Sequence, residues 1–456
     1  MILGRLKSLM QRLTDSTVFA DVLAPVERAL SRVRTAPAIG RTLNMADFIA
    51  LGVLRHLQGM MTLREQVQGL WHLEANAEAR LPLARSTWSD ALASGARGAV
   101  LEGVVAALLE DAKPILPDRL AGIPGLGTRP VRATDGTYLL ESAHYRRCTP
   151  REGGQDNPKG HAALPFFNLR LGVAEAVHIE TRSRHEVRML RDYDQQPRAL
   201  TRERGVLWLV DRAFIDAAFW DKKKRGLGST MITRMKSGLR VDSTEEIPVT
   251  DDPYNEGVVA DLRITLSSSR EPWRLVTFRT RRGRTVAFLT NDFSLLPGVV
   301  AFLYSRRWDE EKCFDTWKND FAQAKAWGKR LTAIENQMRL VLITHLLLAM
   351  AVPTLLDETV RDEKALRKQD QRQRAEPDAP DGTDRPDWAA RLFRHTSKIS
   401  RQVLRFFKHS FLAPASPALY ERHLRPMLLH YLRLGPDTVG TKPRPAGYVR
   451  LLWRAS

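Results

Sequence analysis

GVLWLVDRAF, residues 205–214, joins a short and nearly continuous apolar run to an aspartate, and a helix-forming segment, RAFIDAAFWDKKK, begins at once. A run of that length without alternating polar residues reads as a strand buried on both faces of a sheet. The segment therefore predicts an α/β core with one strand ending at Asp211, on the carboxyl edge where loops open a crevice. Upstream, VRATDGTYLL from Val131, then LPFFNLRLGV and EAVHIETR, read as further strands, the last two as a hairpin around Gly172–Val173. Downstream, STMITRMKSG, VADLRITLS, PWRLVTFRT and RTVAFLTN form a β-rich insertion between about residues 228 and 291, broken by an acidic patch from Glu245 to Gly257.

Helical texture flanks this core. In DFIALGVLRHLQGMMTLREQVQGL apolar residues recur every three or four positions, and Ser86 and Thr87 precede another helical stretch. AGIPGLGTRP (121–130) is Gly/Pro punctuation at a domain boundary. The organisation expected is a helical N-terminal region over 1–125, a core over 126–350, a charged linker over 351–390 and a helical, basic C-terminal region over 391–456, open to a role in dimerisation or in contact with a charged partner. At 456 residues, such a split is what chain length alone demands.

Charge narrows the partners. Seventy-one Lys+Arg against 52 Asp+Glu leave a formal +19, which points to a polyanion, and nucleic acid is favoured over a membrane surface because the basic residues are spread along the chain. Cys148 and Cys313 show no CxxC spacing, and the histidines show no HExxH pair, so neither a disulfide framework nor a zinc site is expected. MILGRLKSLMQRL lacks the continuous apolar core of a signal peptide, and LVLITHLLLAMAVPTLL (340–356) is short for a span and carries His345 and Pro353. The expectation is a cytoplasmic protein with no membrane partner.

Three acids stand out by position: Asp135 after VRAT, Asp211 after GVLWLV, and Glu311 on a helix expected from Leu296 to Phe321. Carboxylates converging from strand ends and a facing helix would repel one another unless divalent cations lay between them, and hard oxygen donors suit Mg²⁺ or Mn²⁺. Each acid also has a plainer reading. Asp135-Gly136 is a turn dipeptide, Asp211 fits a helix N-cap, and Glu311 fits a solvated face paired with Arg307. At about 100° per residue, Tyr304, Arg307, Glu311, Asp315 and Lys318 share one stripe, and Phe314, Trp317 and Phe321 form an apolar stripe suited to docking on a sheet.

The spacing Tyr304-x2-Arg307-x3-Glu311-x6-Lys318 resembles the Tyr-Arg-Glu-Lys signature of a group of bacterial insertion-sequence DDE transposases. ATDGTYL and LVDRAF resemble the segments bearing that group's two aspartates. ITRMKSG, AFLTND and ADFIALGVLRHLQGMMTLRE also have counterparts there, so the likeness covers roughly residues 40–350. It implies a ribonuclease H-like core with Asp135, Asp211 and Glu311 as catalytic ligands of two Mg²⁺ ions, with Mn²⁺ as a substitute. It places Tyr304, Arg307 and Lys318 on DNA phosphates, Trp308 on an unpaired base or in the core, Arg212 on DNA or as a helix cap, and Trp273 of the insertion on a flipped base. The implied activity is cleavage of element ends and transfer into target DNA, performed on double-stranded DNA by a homodimer. A metal-dependent nuclease without strand transfer and a non-catalytic DNA-binding protein are the rival expectations.

Overall fold

A computed structural model of the chain describes residues 17–33, 43–57, 84–141, 160–180, 185–280, 283–321, 326–328 and 330–351. The expected linker, the C-terminal helices and Cys148 lie outside them. The described residues divide into two compact units, those within 118–314 in one and those within 17–117 and 315–351 in the other.

The described part of the helical unit contains α1 (Thr17–Arg32), α2 (Met45–Leu57), α3 (Arg85–Leu92), α4 (Gly95–Ile115) and a final helix over 331–351. α4 starts where Ser94 accepts a hydrogen bond from the Arg97 amide. α2 is buried almost throughout, including His56, whose Nδ1 lies 2.7 Å from the Thr344 hydroxyl of the final helix. The apolar run beginning at Leu340 thus has a core role within this unit, its described residues being largely buried. Among the described residues no single helix is long and apolar enough to cross a membrane, and only the bent pair α3–α4 passes by length and composition.

The other unit is built on one large, mostly antiparallel sheet. Its strands are β1 (Val131–Thr134), β2 (Thr137–Glu141), β3 (Gly160–Asn168), β4 (Val173–Glu180), β5 (Leu207–Val210), β6 (Thr230–Arg234), β7 (Val241–Glu246), β8 (Val258–Leu266), β9 (Pro272–Arg279) and β10 (Thr285–Thr290). β1 and β2 are two halves of one line interrupted at Asp135–Gly136, because the register on β3 is kept across the gap, Thr134 opposite Phe166 and Thr137 opposite Ala163, and shifts only after Tyr138. β3 and β4 form the expected hairpin, turned at Gly172 with φ +70. β5 runs parallel to β1 and β6 parallel to β5, after which β10, β9, β8 and β7 continue the sheet antiparallel.

Two expectations change here. STMITR, placed in the insertion by its sequence, is β6 and belongs to the parallel part of the sheet. The acidic patch, read as a break, overlaps β7, a strand of almost wholly exposed residues at the end of the strand order. No apolar alternation marks β7 because neither face is buried.

Helices α5 (Glu186–Asp194) and α6 (Ala217–Leu227) close over a core of Phe166, Tyr193, Trp208, Phe214, Trp220 and Trp273. α7 (Pro297–Arg306) packs against β6, β8 and β9. Its second residue has to be glycine, since a Cβ on Gly298 would stand 1.6 Å from the Tyr254 carbonyl oxygen. Ahead of α7, Asp292 ties Arg129, Thr230 and Ser294 together. Burial alone would raise its carboxyl, but Arg129, Ser294 and Thr230 pull it down to about 2 from 3.8. The folded pKa is depressed, so this stabilisation is complete above pH 3.8 and is lost as pH falls towards 2. Acid titration of thermal stability should show a loss of about 2 kcal/mol across that window, absent in Asp292→Asn.

Candidate active site

The parallel register brings the first two acids together. Thr134 of β1 lies opposite Val210 of β5, so the next residues, Asp135 and Asp211, leave the carboxyl ends of adjacent parallel strands side by side. Of the plainer readings, the Asp211 cap fails, whereas the pairing of Glu311 with Arg307 is present at 2.9 Å. Asp211 precedes a single 3-10 turn, Arg212–Phe214, without a side-chain cap, and it is Asp216 that caps α6 by accepting from the Phe219 amide. Asp135 accepts from the Gly136 amide at 2.8 Å through Oδ1 and keeps Oδ2 for another partner.

That partner comes from the third element. The single helix expected from Leu296 to Phe321 is α7, a one-residue interruption at Arg307, α8 (Trp308–Asp315) and a π turn over Thr316–Asp320. Arg307 Nη1 donates to Asp135 Oδ2 at 2.8 Å and Nη2 donates to Glu311 Oε1 at 2.9 Å. One guanidinium, 8% exposed, therefore joins a sheet acid to a helix acid. Tyr304 is buried one turn earlier, its ring 5.9 Å from the same guanidinium and 5.3 Å from Phe288.

The electrostatics follow from this crowding. Burial raises the Asp135 carboxyl, Arg307 opposes that, and the charges of Asp211 and Glu311 push it up further, for a net rise. Burial alone would lower the Arg307 guanidinium, but Tyr304, Asp135, Glu310 and Glu311 reverse this and hold it firmly charged. Burial also raises the Tyr304 phenol. Asp135 and Glu311, joined by one buried arginine, with Asp211 beside Asp135, offer only oxygen donors, the type that suits a hard divalent cation. As they stand, no three His, Cys, Asp or Glu side chains among the described residues close around one metal position.

Other expected site residues fall as follows. Trp308 is 59% exposed, which removes the core alternative. Arg212 is exposed. Lys318 lies in the π turn, where the helical phase is interrupted, and belongs to the helical unit. The apolar stripe divides in the same way. Trp317 and Phe321 meet His345 and His56 of the helical unit, whereas Phe314 is buried in the sheet unit. Trp273 is corrected outright. It is 0% exposed, and its Nε1 donates to Asp221 Oδ1 at 3.1 Å and Ser269 Oγ at 3.0 Å, so it holds the core and presents no ring to DNA.

Glu310, next to Glu311 on α8, is the most deeply buried acid here, at 0% exposure. Neither carboxylate oxygen makes a hydrogen bond of ordinary geometry, although the Asp135 backbone lies near enough to favour the charged form. Burial first, then the Asp135 charge, raises its carboxyl well above 4.5. A raised folded pKa means that ionisation opposes folding, so this group costs stability as pH rises above 4.5. Melts in EDTA should find Glu310→Leu more stable than the parent by about 1–3 kcal/mol at neutral pH. The gain should shrink towards pH 4.5. No spacing rule separates Glu310 from Glu311. Only the seating of α8 does.

Comparison with known proteins adds an independent line. Residues 134–347 match the family described as Transposase DDE domain, a span that contains Asp135, Asp211 and Glu311. The chain is 25% identical over 224 residues to a probable transposase for insertion sequence element IS5377 of Geobacillus stearothermophilus, covering 48% of this chain and 56% of that protein. It is 26% identical over 162 residues to the putative transposase y4zB of Sinorhizobium fredii (strain NBRC 101917 / NGR234), covering 34% of this chain and 45% of that one. The chain spans about half the length of the curated relatives it matches. A piggyBac transposase synaptic complex with hairpin DNA, solved by cryo-EM, superimposes with a TM-score of 0.39 at 9% identity, over 95% of this chain and 86% of that one.

Proposed function

We propose that this chain is a DDE transposase of the Tyr-Arg-Glu-Lys group that binds the terminal inverted repeats of its element, cuts there and transfers the ends into target DNA. The observation that carries the reading is the parallel register of β1 and β5, which sets Asp135 beside Asp211, with Glu311 tied to Asp135 through Arg307. A three-strand antiparallel start followed by two parallel strands supports a ribonuclease H-like core, with β7 to β10 as its insertion.

Asp135, Asp211 and Glu311 would hold two Mg²⁺ ions, with Mn²⁺ as a substitute. Such ions, when bound, activate the attacking oxygen and neutralise charge on the phosphodiester and leaving oxygen. The chain's own residues position the DNA. Arg307 and Lys318 offer donors suited to phosphate oxygens, Tyr304 orients Arg307, and Arg212 supplies an exposed cation beside Asp211. Exposed Trp308 adjoins Arg307 and can stack on an unpaired base. The formal +19 supplies salt-dependent backbone affinity. The helical N-terminal region would read the ends, a homodimer would synapse two of them, and the work would take place on DNA in the bacterial cytoplasm.

The test is cleavage of duplexes carrying the inverted repeats that flank the coding region. Nicking at the repeat boundary only with Mg²⁺ or Mn²⁺, followed by joining to a second duplex, supports the reading. Metal-independent cleavage sinks it, and nicking without joining favours a nuclease.

A further inference from the structure

The position of Arg307 carries a consequence for how the carboxylates take up a cation. Its guanidinium is 8% exposed and spends two of its three nitrogens on Asp135 Oδ2 and Glu311 Oε1. These belong to two of the three acids assigned to the divalent ions, one on the sheet and one on a helix. An oxygen that accepts from a buried guanidinium at hydrogen-bond distance cannot simultaneously present that lone pair to a metal. The guanidinium also spans the gap between the two acids, and no three acids among the described residues close around one point. Resting on the transposase reading above, we propose that Arg307 is a built-in counter-cation of the Asp135–Glu311 pair, and that a divalent ion binds those acids only by displacing it.

The physical argument is one of exchange. Acids drawn close enough to repel one another need a positive charge, and Arg307 provides it from within the chain, its side chain 8% exposed while those of Asp135 and Glu311 stay 26% and 33% open to solvent. A divalent cation carries twice the charge but must break two charge-assisted hydrogen bonds and find the guanidinium another partner. A phosphate oxygen is the natural one, because the planar fork that bridges two carboxylates also matches phosphate. Metal affinity is therefore held down while Arg307 stays in place, and DNA at the site relieves that restraint. Arg307 Nε, buried and without a hydrogen-bond partner, shows that the bridge leaves part of the guanidinium unsatisfied.

The experiment is Mn²⁺ titration of the full chain without DNA, followed by calorimetry and by the electron paramagnetic resonance of free Mn²⁺. Arg307→Gln should tighten Mn²⁺ binding about tenfold or more, within the usual range of coupling between two ligands. Arg307→Lys keeps the charge but cannot fork across both acids, so it should tighten binding by a smaller factor, and it carries the test if the glutamine variant folds poorly. Arg306→Gln removes a neighbouring charge paired with Asp309 and should leave the affinity close to the parent's. Equal or weaker Mn²⁺ binding in both Arg307 variants overturns the proposal, as does the same tightening in Arg306→Gln. Asp135→Asn separates the two levels of the argument. If it binds Mn²⁺ as well as the parent, the assignment of the carboxylates fails and the exchange fails with it. If it loses binding while the Arg307 variants do not gain, only the exchange fails.

Discussion

Asp211→Asn should lower metal-dependent nicking of element ends by about a thousandfold or more. A carboxylate that holds an ion opposite a phosphodiester is worth several kcal/mol in the transition state, and each 1.4 kcal/mol is a decade in rate. The substitution is a clean one. Asparagine has nearly the shape of aspartate, and Asp211 makes no capping hydrogen bond to the 3-10 turn after it, so local structure gives no reason for the fold to suffer. End binding in a gel shift and the melting temperature should stay near the parent's while nicking disappears. Asp135→Asn and Glu311→Gln should be equally inactive, but each also removes a partner of Arg307, so both should lower stability as well. That contrast is informative. An inactive Asp211→Asn that also unfolds would mean that the residue serves the fold.

The second large effect concerns stability. Arg274 of β9 meets Asp261 of β8 in a two-pronged pair, Nε to Oδ1 at 2.8 Å and Nη2 to Oδ2 at 2.6 Å, and its Nη1 donates to the Leu295 carbonyl at 2.6 Å. The side chains are 5% and 1% exposed. Removing one member of so buried a pair strands the other charge, and Arg274→Ala should cost about 3–5 kcal/mol in urea unfolding. The joint replacement Arg274→Met with Asp261→Leu should recover much of that loss, since apolar residues of similar volume often replace a buried pair without penalty. The Leu295 carbonyl lies just ahead of α7, so the single substitution should also loosen the start of the helix that leads to Tyr304 and Arg307. Recovery of stability by the double variant without recovery of nicking would mean that this carbonyl contact positions the site.

Much of this was legible in the residues, for identifiable reasons. The apolar run ending at Asp211 announced a strand buried on both faces, and the sheet needs such a strand at its centre. The spacing of Tyr304, Arg307 and Glu311 survives the break at Arg307, because residue 307 keeps helical angles, φ −54 and ψ −32. Lys318 was harder to place, since five residues of π turn change the phase on which its stripe was drawn. β7 escaped because a strand with both faces wet has no hydrophobic period, and VDSTEE looks like a loop. Glu310 escaped for a different reason. Which of two adjacent acids turns inward depends on the packing of α8, and no local pattern records it. Residue type alone points to Trp273, whereas its burial comes from strands that pair across the whole insertion.

The interrupted line of β1 and β2 sets how much the chain can change in length. Both halves keep one register along β3 across the Asp135–Gly136 gap. Side chains on a strand alternate between faces, so adding or deleting one residue between Val131 and Thr137 would turn the remainder of the line over. Asp135 would then leave Asp211, and the apolar residues of β1 would face the wrong way. The turn between β6 and β7 faces no such restriction, since Gly238 has φ +90 and nothing stands within 4 Å of where its Cβ would be. Peptide insertions for labelling or tethering should therefore be accepted there, while the stretch around Asp135 should tolerate substitution far better than any change of length.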